Sequence, residues 1–273
     1  VRSVIMLVAL LQAAQSAACS TSQDCSYQPG TSRTDPSQTV PSYPACALRP
    51  TRLRTNALAN PLGVQSTPRL SWALEAAMDP PRRNLTQSAY RIECFTSDDL
   101  AHSLWDSGRV VSEETLHIAY GGPRLASSQR VYWRVTSFDD ASDSSTCAPS
   151  LLAWFETALL SEDDWRGAQW ISRFTPKANV SDCELYAMSD RNSAPRFRVE
   201  ATIPHEATGV RAYIAGLGYH RLFIDGERVG TSELDAGWSA TDHRVLYSVF
   251  DVSAQLTAGA RHAIGIELGN GWG

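Results

Sequence analysis

From residue 48 onward, apolar and polar residues alternate along the chain instead of recurring every three or four positions. In segment 89–96, for example, Tyr90, Ile92 and Cys94 share one face, and segment 130–136 repeats this arrangement. Such alternation is typical of an antiparallel strand that is buried on one face. Gly, Pro, Asn and Asp interrupt it at short intervals, as turns between strands do. The pattern therefore predicts an all-β chain.

The first part of this pattern predicts about seven short strands between residues 48 and 158, which is the size of an immunoglobulin- or fibronectin-type β-sandwich. The clearest segments are 69–74, 89–96, 103–105, 116–119, 130–136 and 151–157. Trp133 lies on the apolar face of its segment, so we expect it in the core and not on a ligand-binding surface.

A second β region is assigned to residues 177–273. Its predicted strands are 197–203, 210–215, 219–224, 245–250 and 262–268. Asp225 and Gly226 predict a two-residue hairpin, because both residues tolerate a positive φ. We expect this second β-sandwich to be incomplete, since the chain stops at Gly273 within a strand-and-turn pattern. The chain would then be the front part of a longer protein.

A connector at 159–176 joins the two regions. Ser161 precedes three acidic residues there, which predicts one helical turn, because Ser is a good N-cap and carboxylates favour a helix N-terminus. Before the first region, Arg2, the apolar run 4–11 and the small residues that follow predict a signal peptide over 1–18. A buried first helix is the alternative. Residues 19–47 are rich in Ser, Thr, Gln, Pro and Asp and predict a disordered linker.

Composition and charge narrow the classes of function. The chain has 273 residues, of which 43% are hydrophobic and 19% charged, a globular balance with room for two domains. It carries 24 Lys and Arg against 29 Asp and Glu, so the net charge of −5 argues against a nucleic-acid partner. With the signal removed, we expect a secreted, extracellular protein that has no membrane association.

Cysteines and glycosylation acceptors fit export. The six cysteines, an even number, permit disulfides in a secreted chain but allow 15 full pairings. Cys94 and Cys147 are the candidate intra-domain bridge, although Cys147 falls in a polar loop. The cysteines form no C-x-x-C pair, so a zinc site has little support. Asn84 and Asn179 begin the two N-x-[ST] glycosylation triplets.

Several motifs occur in a collinear order. The first region holds NPLG at 60–63, PRLSW at 68–72, LWDSGRV at 104–110 and YWRV at 132–135. The second holds YIAGLGY at 213–219, FIDGERVG at 223–230, LDAGW at 234–238 and LGNGW at 268–272. In sequence and order these motifs resemble the N-terminal part of bacterial and fungal α-L-rhamnosidases. Two positions depart from the family, since Asp225 stands where Asn is usual and Cys147 where Trp is expected.

The resemblance implies an accessory region of a secreted, inverting glycoside hydrolase that releases terminal α-L-rhamnose from glycosides or polysaccharides. Its two catalytic carboxyl groups would lie in a downstream α/α-barrel. The sequence itself contains no G-x-S-x-G elbow and no H-E-x-x-H motif. We therefore assign no catalytic residue and no metal site to this chain, and we expect the chain alone to be inactive.

The resemblance also implies that the second sandwich is similar to a carbohydrate-binding domain, since some related modules hold rhamnose through calcium. The candidate sugar and calcium contacts are Asp235, Trp238, Asp242, Glu267, Asn270 and Trp272. The alternative is that the two Trp side chains pack at domain junctions and that Asp235 caps a turn. No cofactor is predicted, with calcium left open. A second hypothesis for the chain is a non-catalytic carbohydrate-binding or adhesion protein built from β-sandwiches.

Overall fold

A computed structural model of the chain describes residues 4–8, 46–77, 84–139, 147–172 and 195–269. In these ranges it is all-β, as predicted, with one turn of 3-10 helix at Glu162–Trp165. The strands are β1 (Val4–Val8), β2 (Leu48–Thr55), β3 (Arg69–Ala76), β4 (Gln87–Phe95), β5 (Ser103–Asp106), β6 (Val110–Val111), β7 (Ile118–Ala119), β8 (Arg130–Asp139), β9 (Ala153–Glu156), β10 (Trp170–Ser172), β11 (Arg196–Thr202), β12 (Arg211–Gly216), β13 (Tyr219–Ile224), β14 (Glu227–Val229), β15 (Tyr247–Asp251) and β16 (Arg261–Gly269). The described part contains no helix long and apolar enough to cross a membrane.

The backbone divides into two units, one within residues 21–160 and one that joins residues 1–20 to 161–273. The first unit is the predicted immunoglobulin-type sandwich. One sheet has the order β2-β3-β7, and the other has the order β5-β4-β8-β9 with β6 also paired to β4. Between them lies an apolar core that contains Leu70, Ile92, Val131 and Phe155. Trp133 is fully buried there, which confirms the expectation that it is a core residue.

A buried amide ties the two sheets of this unit together. The side chain of Gln87 is 2% exposed, and its Oε1 accepts hydrogen bonds from Trp72 Nε1 at 3.1 Å and Ser137 Oγ at 2.7 Å. Its Nε2 donates to the carbonyl oxygens of Ser112 and Glu114. A buried polar group is tolerated when its hydrogen bonds are satisfied, and here both ends of the amide are.

The disulfide of this unit differs from the predicted one. Cys147 pairs with Cys46, whose Cα lies 5.3 Å away, and the predicted bridge between Cys94 and Cys147 is wrong. Cys94 is a free thiol because it points into the core from β4, in register with Trp133 of β8. Burial raises the pKa of this thiol to about 12, so it stays protonated.

The structured unit also begins earlier than predicted. Cys46 is held by the disulfide, and the backbone N–H of Ala47 donates to Asp139 Oδ2 at 3.3 Å. The sandwich therefore starts by residue 46, inside the predicted linker 19–47, of which residues 19–45 lie outside the described ranges.

The second unit contains two four-stranded antiparallel sheets, with the orders β10-β1-β12-β15 and β11-β16-β13-β14. Its apolar core includes Ile214, Leu222, Ile266 and Leu268. The predicted hairpin is present, because Asp225 and Gly226 have φ values of 50° and 88° between β13 and β14. The predicted helical turn is present as well, with Ser161 as the N-cap of Glu162–Trp165.

Strand β1 comes from the predicted signal peptide. It lies between β10 and β12, and Met6 is in register with Trp170 on one side and Ala215 on the other. Signal cleavage stays a prediction, and it would remove this strand from the sheet.

Candidate functional site

Strands β13 and β16 place a row of polar and aromatic side chains on one face of their sheet. His220, Leu222 and Ile224 are buried on the core side of β13, so Tyr219 and Arg221 point to the opposite side. We call this opposite side the outer face. On β16 the residues in register with Tyr219 and Arg221 are Gly269 and Glu267.

Glycine on β16 leaves space for aromatic side chains on β13. A Cβ atom built on Gly269 would lie 3.3 Å from Tyr219 Cβ, and one built on Gly265 would lie 3.6 Å from Phe223 Cβ. Because Gly269 has no side chain, it leaves a depression in the outer face beside Tyr219.

Charged side chains line this depression and bind one another. Glu233 accepts hydrogen bonds from Arg221 Nη2 at 2.5 Å and from Arg228 Nη1 at 2.7 Å. These two hydrogen bonds lower the pKa of Glu233 from its ordinary value, and the bond from Arg228 has the larger effect. On the other side, Glu267 Oε1 accepts from Arg196 Nε at 2.9 Å and Nη2 at 2.7 Å. The arginines and glutamates therefore pair with one another on the outer face, where their side chains are 25–80% exposed.

A pocket of about 300 Å³ that is open to solvent lies on this face. It is lined by Tyr219, His220, Arg221, Glu233, Glu267, Leu268 and Gly269. Guanidinium groups supply hydrogen-bond donors and carboxylates supply acceptors, so the pocket is suited to a small polar ligand.

His220 is a buried polar group on the core side of β13. It is 2% exposed, and neither ring nitrogen has a hydrogen-bond partner within the described residues. Burial lowers the pKa of His220, against a smaller opposing effect of the Asp235 carboxylate, so the ring is neutral at pH 7. Its Nδ1 would lie 3.2 Å from a Cβ built on Gly216, so glycine gives the ring room there.

Of the residues predicted to contact sugar or calcium, Asp235, Trp238, Asp242 and Glu267 lie within the described ranges. Trp238 is 77% exposed, and the side chain of Asp242 is 76% exposed beside His243. The backbone carbonyl of Asp235 accepts a hydrogen bond from His220 N at 3.0 Å. Across the ranges that the structure describes, three or more His, Cys, Asp or Glu side chains nowhere form a group that could hold a metal ion.

The remaining predicted positions stand as follows. Glu267 lies in the pocket described above. Asn270, Trp272 and the glycosylation candidate Asn179 fall outside the described residues, whereas Asn84 is exposed. Sequence reasoning did not identify Tyr219, Arg221 and Glu233 as pocket residues. For Tyr219 and Arg221 the available signal was their period-two spacing on a strand whose other face is buried.

Five described carboxyl groups have a displaced pKa. Glycoside hydrolysis needs a carboxyl whose pKa is raised. Each described carboxyl with a displaced pKa has it lowered, because it accepts hydrogen bonds from neighbouring groups. These residues are Asp99, Asp106, Glu200, Asp225 and Glu233.

Comparison with known proteins gives matches for both sandwiches. Residues 50–161 match the family model described as "Rha78A-like, N-terminal immunoglobulin domain". Residues 205–273 match the model of the "Alpha-L-rhamnosidase N-terminal domain". The two matches occur in the order in which the two units follow each other along the chain.

Curated relatives carry the same name. An α-L-rhamnosidase of Formosa agariphila is 31% identical over 232 residues, which is 80% of this chain and 24% of the relative. One of Streptomyces avermitilis is 34% identical over 209 residues, 70% of this chain and 20% of the relative. The chain thus spans a quarter or less of the length of these relatives.

Solved structures agree with these matches. An α-L-rhamnosidase from Dictyoglumus thermophilum superposes with a TM-score of 0.68 at 34% identity, over 82% of this chain and 25% of that one. The enzyme from Aspergillus terreus superposes with a TM-score of 0.65 at 26% identity, over 83% of this chain and 24% of that one.

Proposed function

We propose that this chain is the accessory N-terminal region of a secreted enzyme. Its two sandwiches are N-terminal domains of the α-L-rhamnosidase family. The parent enzyme would release terminal α-L-rhamnose from glycosides or polysaccharides with inversion of configuration. The observation that carries this proposal is the ordered match of residues 50–161 and 205–273 to rhamnosidase N-terminal domain models, within a region where 80% of the chain aligns with a curated α-L-rhamnosidase. The partner of the whole protein would be a rhamnose-containing glycan.

Catalysis would lie outside the chain, in a downstream α/α-barrel. The chain spans a quarter or less of its curated relatives.

Secretion is supported by the disulfide between Cys46 and Cys147, because disulfides persist mainly in oxidising compartments. The exposed position of Asn84 in an N-x-[ST] triplet is compatible with glycosylation there.

The test compares the 273-residue chain with the same chain extended by the reading frame that follows residue 273. Both are assayed on an aryl α-L-rhamnoside and on the aryl β-D-glucoside as a specificity control. We expect hydrolysis of the rhamnoside by the extended protein alone, with the β anomer of rhamnose as the first product by NMR. Turnover by the 273-residue chain above a heat-denatured sample, or an extended protein that leaves the rhamnoside intact, would overturn the proposal.

A non-catalytic carbohydrate-binding protein is the second candidate function. The polar pocket beside Tyr219 is the observation in its favour. A stop codon directly after residue 273 would select this function, whereas several hundred further codons with helical periodicity would select the enzyme.

A further inference from the structure

The sheet β10-β1-β12-β15 has a position for one strand between β10 and β12, which we call the slot. In this chain β1 fills it and pairs antiparallel with both neighbours, since Ile5 is in register with Ile171 of β10 and with Gly216 of β12. The predicted signal cleavage would remove β1 and leave two strand edges with unpaired N–H and C=O groups. We propose that the slot is filled in the mature protein by a strand that follows β16, beyond residue 273, and that β1 competes with this strand for the same position.

The chain leaves β16 at the end of the slot where β1 begins. Gly269, the last residue of β16, is in register with Tyr219, the first residue of β13. Tyr219 comes shortly after Gly216, which ends β12 and is in register with Ile5 of β1. A short connection is therefore sufficient to carry the chain from β16 into the slot, and elements that follow each other in sequence are usually neighbours in space.

The direction of the chain fits as well. The chain turns back between β12 and β13, where a Cβ atom built on Gly216 would lie 3.1 Å from the carbonyl oxygen of Gly218. β16 is antiparallel to β13, so it runs in the same direction as β12. A strand that turns back from β16 into the other sheet then runs opposite to β12, which is the direction that β1 has in the slot.

The opposite sheet indicates that the slot accepts a longer strand than β1. A Cβ atom built on Gly230, just after β14, would lie 2.9 Å from Phe250 Cε1 of β15, so β14 lies over β15. By the strand orders, β16 and β11 then lie over the slot and β10. β16 and β11 have 9 and 7 residues, whereas β1 and β10 have 5 and 3. Val199 of β11 is 47% exposed, although Phe197 and Ala201 on the same face pack against the core. A longer strand in the slot would extend the cover towards Val199.

A buried histidine lies at the end of the slot that the chain would enter. A Cβ atom built on Gly216 would lie 3.2 Å from His220 Nδ1, and both ring nitrogens lack a hydrogen-bond partner within the described residues. Buried polar groups in folded proteins are nearly always hydrogen-bonded. A partner supplied by the incoming chain would satisfy this histidine.

That more of the protein follows residue 273 rests on the proposed function. The slot and its two edges do not, because β10 and β12 belong to this chain. Among the 273 residues the segment in the slot is β1, so the rest of the chain does not supply this strand while β1 is present.

The experiment compares the 273-residue chain with the same chain extended by the reading frame that follows. Both are expressed without secretion in an oxidising cytosol, so that residues 1–18 are retained and β1 can compete with the later strand. Hydrogen exchange is measured at the amides of 4–8 and 213–216. The test variant is Leu7→Pro, which removes a backbone donor from a strand that is paired on both sides. The matched control is Leu11→Pro, the same substitution beyond the end of β1. Hydrolysis of an aryl α-L-rhamnoside is assayed on the same samples.

We expect amides 4–8 to be protected in the 273-residue chain and to exchange freely in the extended protein, while 213–216 are protected in both. Leu7→Pro should speed exchange at 213–216 about 2- to 10-fold in the 273-residue chain, the effect of one backbone hydrogen bond, and should leave the extended protein unchanged. Leu11→Pro should have no effect in either protein.

Protection of 4–8 in the extended protein, or free exchange of its 213–216 amides, would overturn the proposal. Unchanged protection of 213–216 in the Leu7→Pro 273-residue chain would mean that another segment, such as 173–194, fills the slot. Protection in the extended protein that falls on dilution would mean that a second copy fills it, and either result would overturn the proposal too. Hydrolysis by an extended protein that keeps β1 in place contradicts this proposal alone, whereas displaced β1 without hydrolysis contradicts only the proposed function.

Discussion

The disulfide between Cys46 and Cys147 makes a strong prediction about stability. It closes a loop with a sequence separation of 101 residues, which encloses nearly the whole first sandwich. In the chain-entropy treatment, a loop of that length restricts the unfolded chain by about 4.7 kcal/mol, and removal of native disulfides from small domains costs about 2–5 kcal/mol. We therefore expect Cys46→Ser to destabilise this sandwich towards the upper end of that range, with a fall in Tm of roughly 15–25 °C.

Urea unfolding followed by tryptophan fluorescence measures this effect, because Trp72 and Trp133 are buried in the same sandwich. Wild-type protein should lose stability on addition of reductant, and Cys46→Ser should be insensitive to it. Cys94→Ala is the informative control. It should be destabilised by its own cavity yet keep the full sensitivity to reductant, because Cys94 is not in the bridge.

A reductant response that disappears in Cys94→Ala and persists in Cys46→Ser would refute the pairing. Equal urea midpoints for oxidised wild type and Cys46→Ser would refute the loop-entropy argument even with the pairing intact.

Three further predictions concern the polar interior, the hairpin and β1. Gln87→Leu should destabilise the first sandwich by about 1–3 kcal/mol in urea, because Trp72 Nε1 and Ser137 Oγ lose their acceptor; an unchanged midpoint would contradict this. The backbone N–H of Ala263 and, to a smaller extent, His262 lower the pKa of Asp225 in the folded protein. The ionised carboxylate therefore stabilises the fold above its unfolded pKa, and this stabilisation is lost as the pH falls through the lower folded pKa. The free energy of unfolding of Asp225→Asn should therefore fall less steeply than that of wild type as the pH drops below about 4. Equal slopes of unfolding free energy against pH for the two proteins would refute this. Deletion of residues 1–18 should speed hydrogen exchange at the β12 amides that face β1, with β13 amides as the unchanged reference.

Alternation was sufficient to predict most strands because the strands of both sandwiches bury one face. In β4 and β8 the residues expected inside are the buried ones, with Ile92, Val131 and Val135 fully enclosed. Strand β2 was missed for a physical reason. It contains three arginines and a proline, and its register shifts between Thr51 and Arg54, so the period-two pattern is broken.

The pocket could not be derived in the same way, since it depends on which residues face each other across strands. Arg221 meets Glu267 only through the antiparallel register of β13 with β16, and Glu233 reaches Arg221 only after the turn that follows β14. Sequence reasoning selected Glu267 of this pocket, but its other described candidates were residues in loops, such as Trp238, which the structure leaves exposed. The register of two strands can be assigned only when one long-range residue pair between them is known, and local periodicity does not identify such a pair.

The apolar character of residues 4–8 supports two interpretations, a signal peptide and a β-strand. An apolar run with Val4, Ile5 and Val8 suits the hydrophobic centre of a signal peptide and equally suits a β-strand, because β-branched residues favour strands. The two interpretations exclude each other in the mature protein, since a cleaved segment cannot pair with β10 and β12. Loss of β1 would leave two strand edges that face each other with unpaired N–H and C=O groups, a template for another strand. N-terminal sequencing of the secreted protein decides between them: a start near Cys19 means that these edges are open to a different strand, and retention of residue 4 means that β1 is part of the fold.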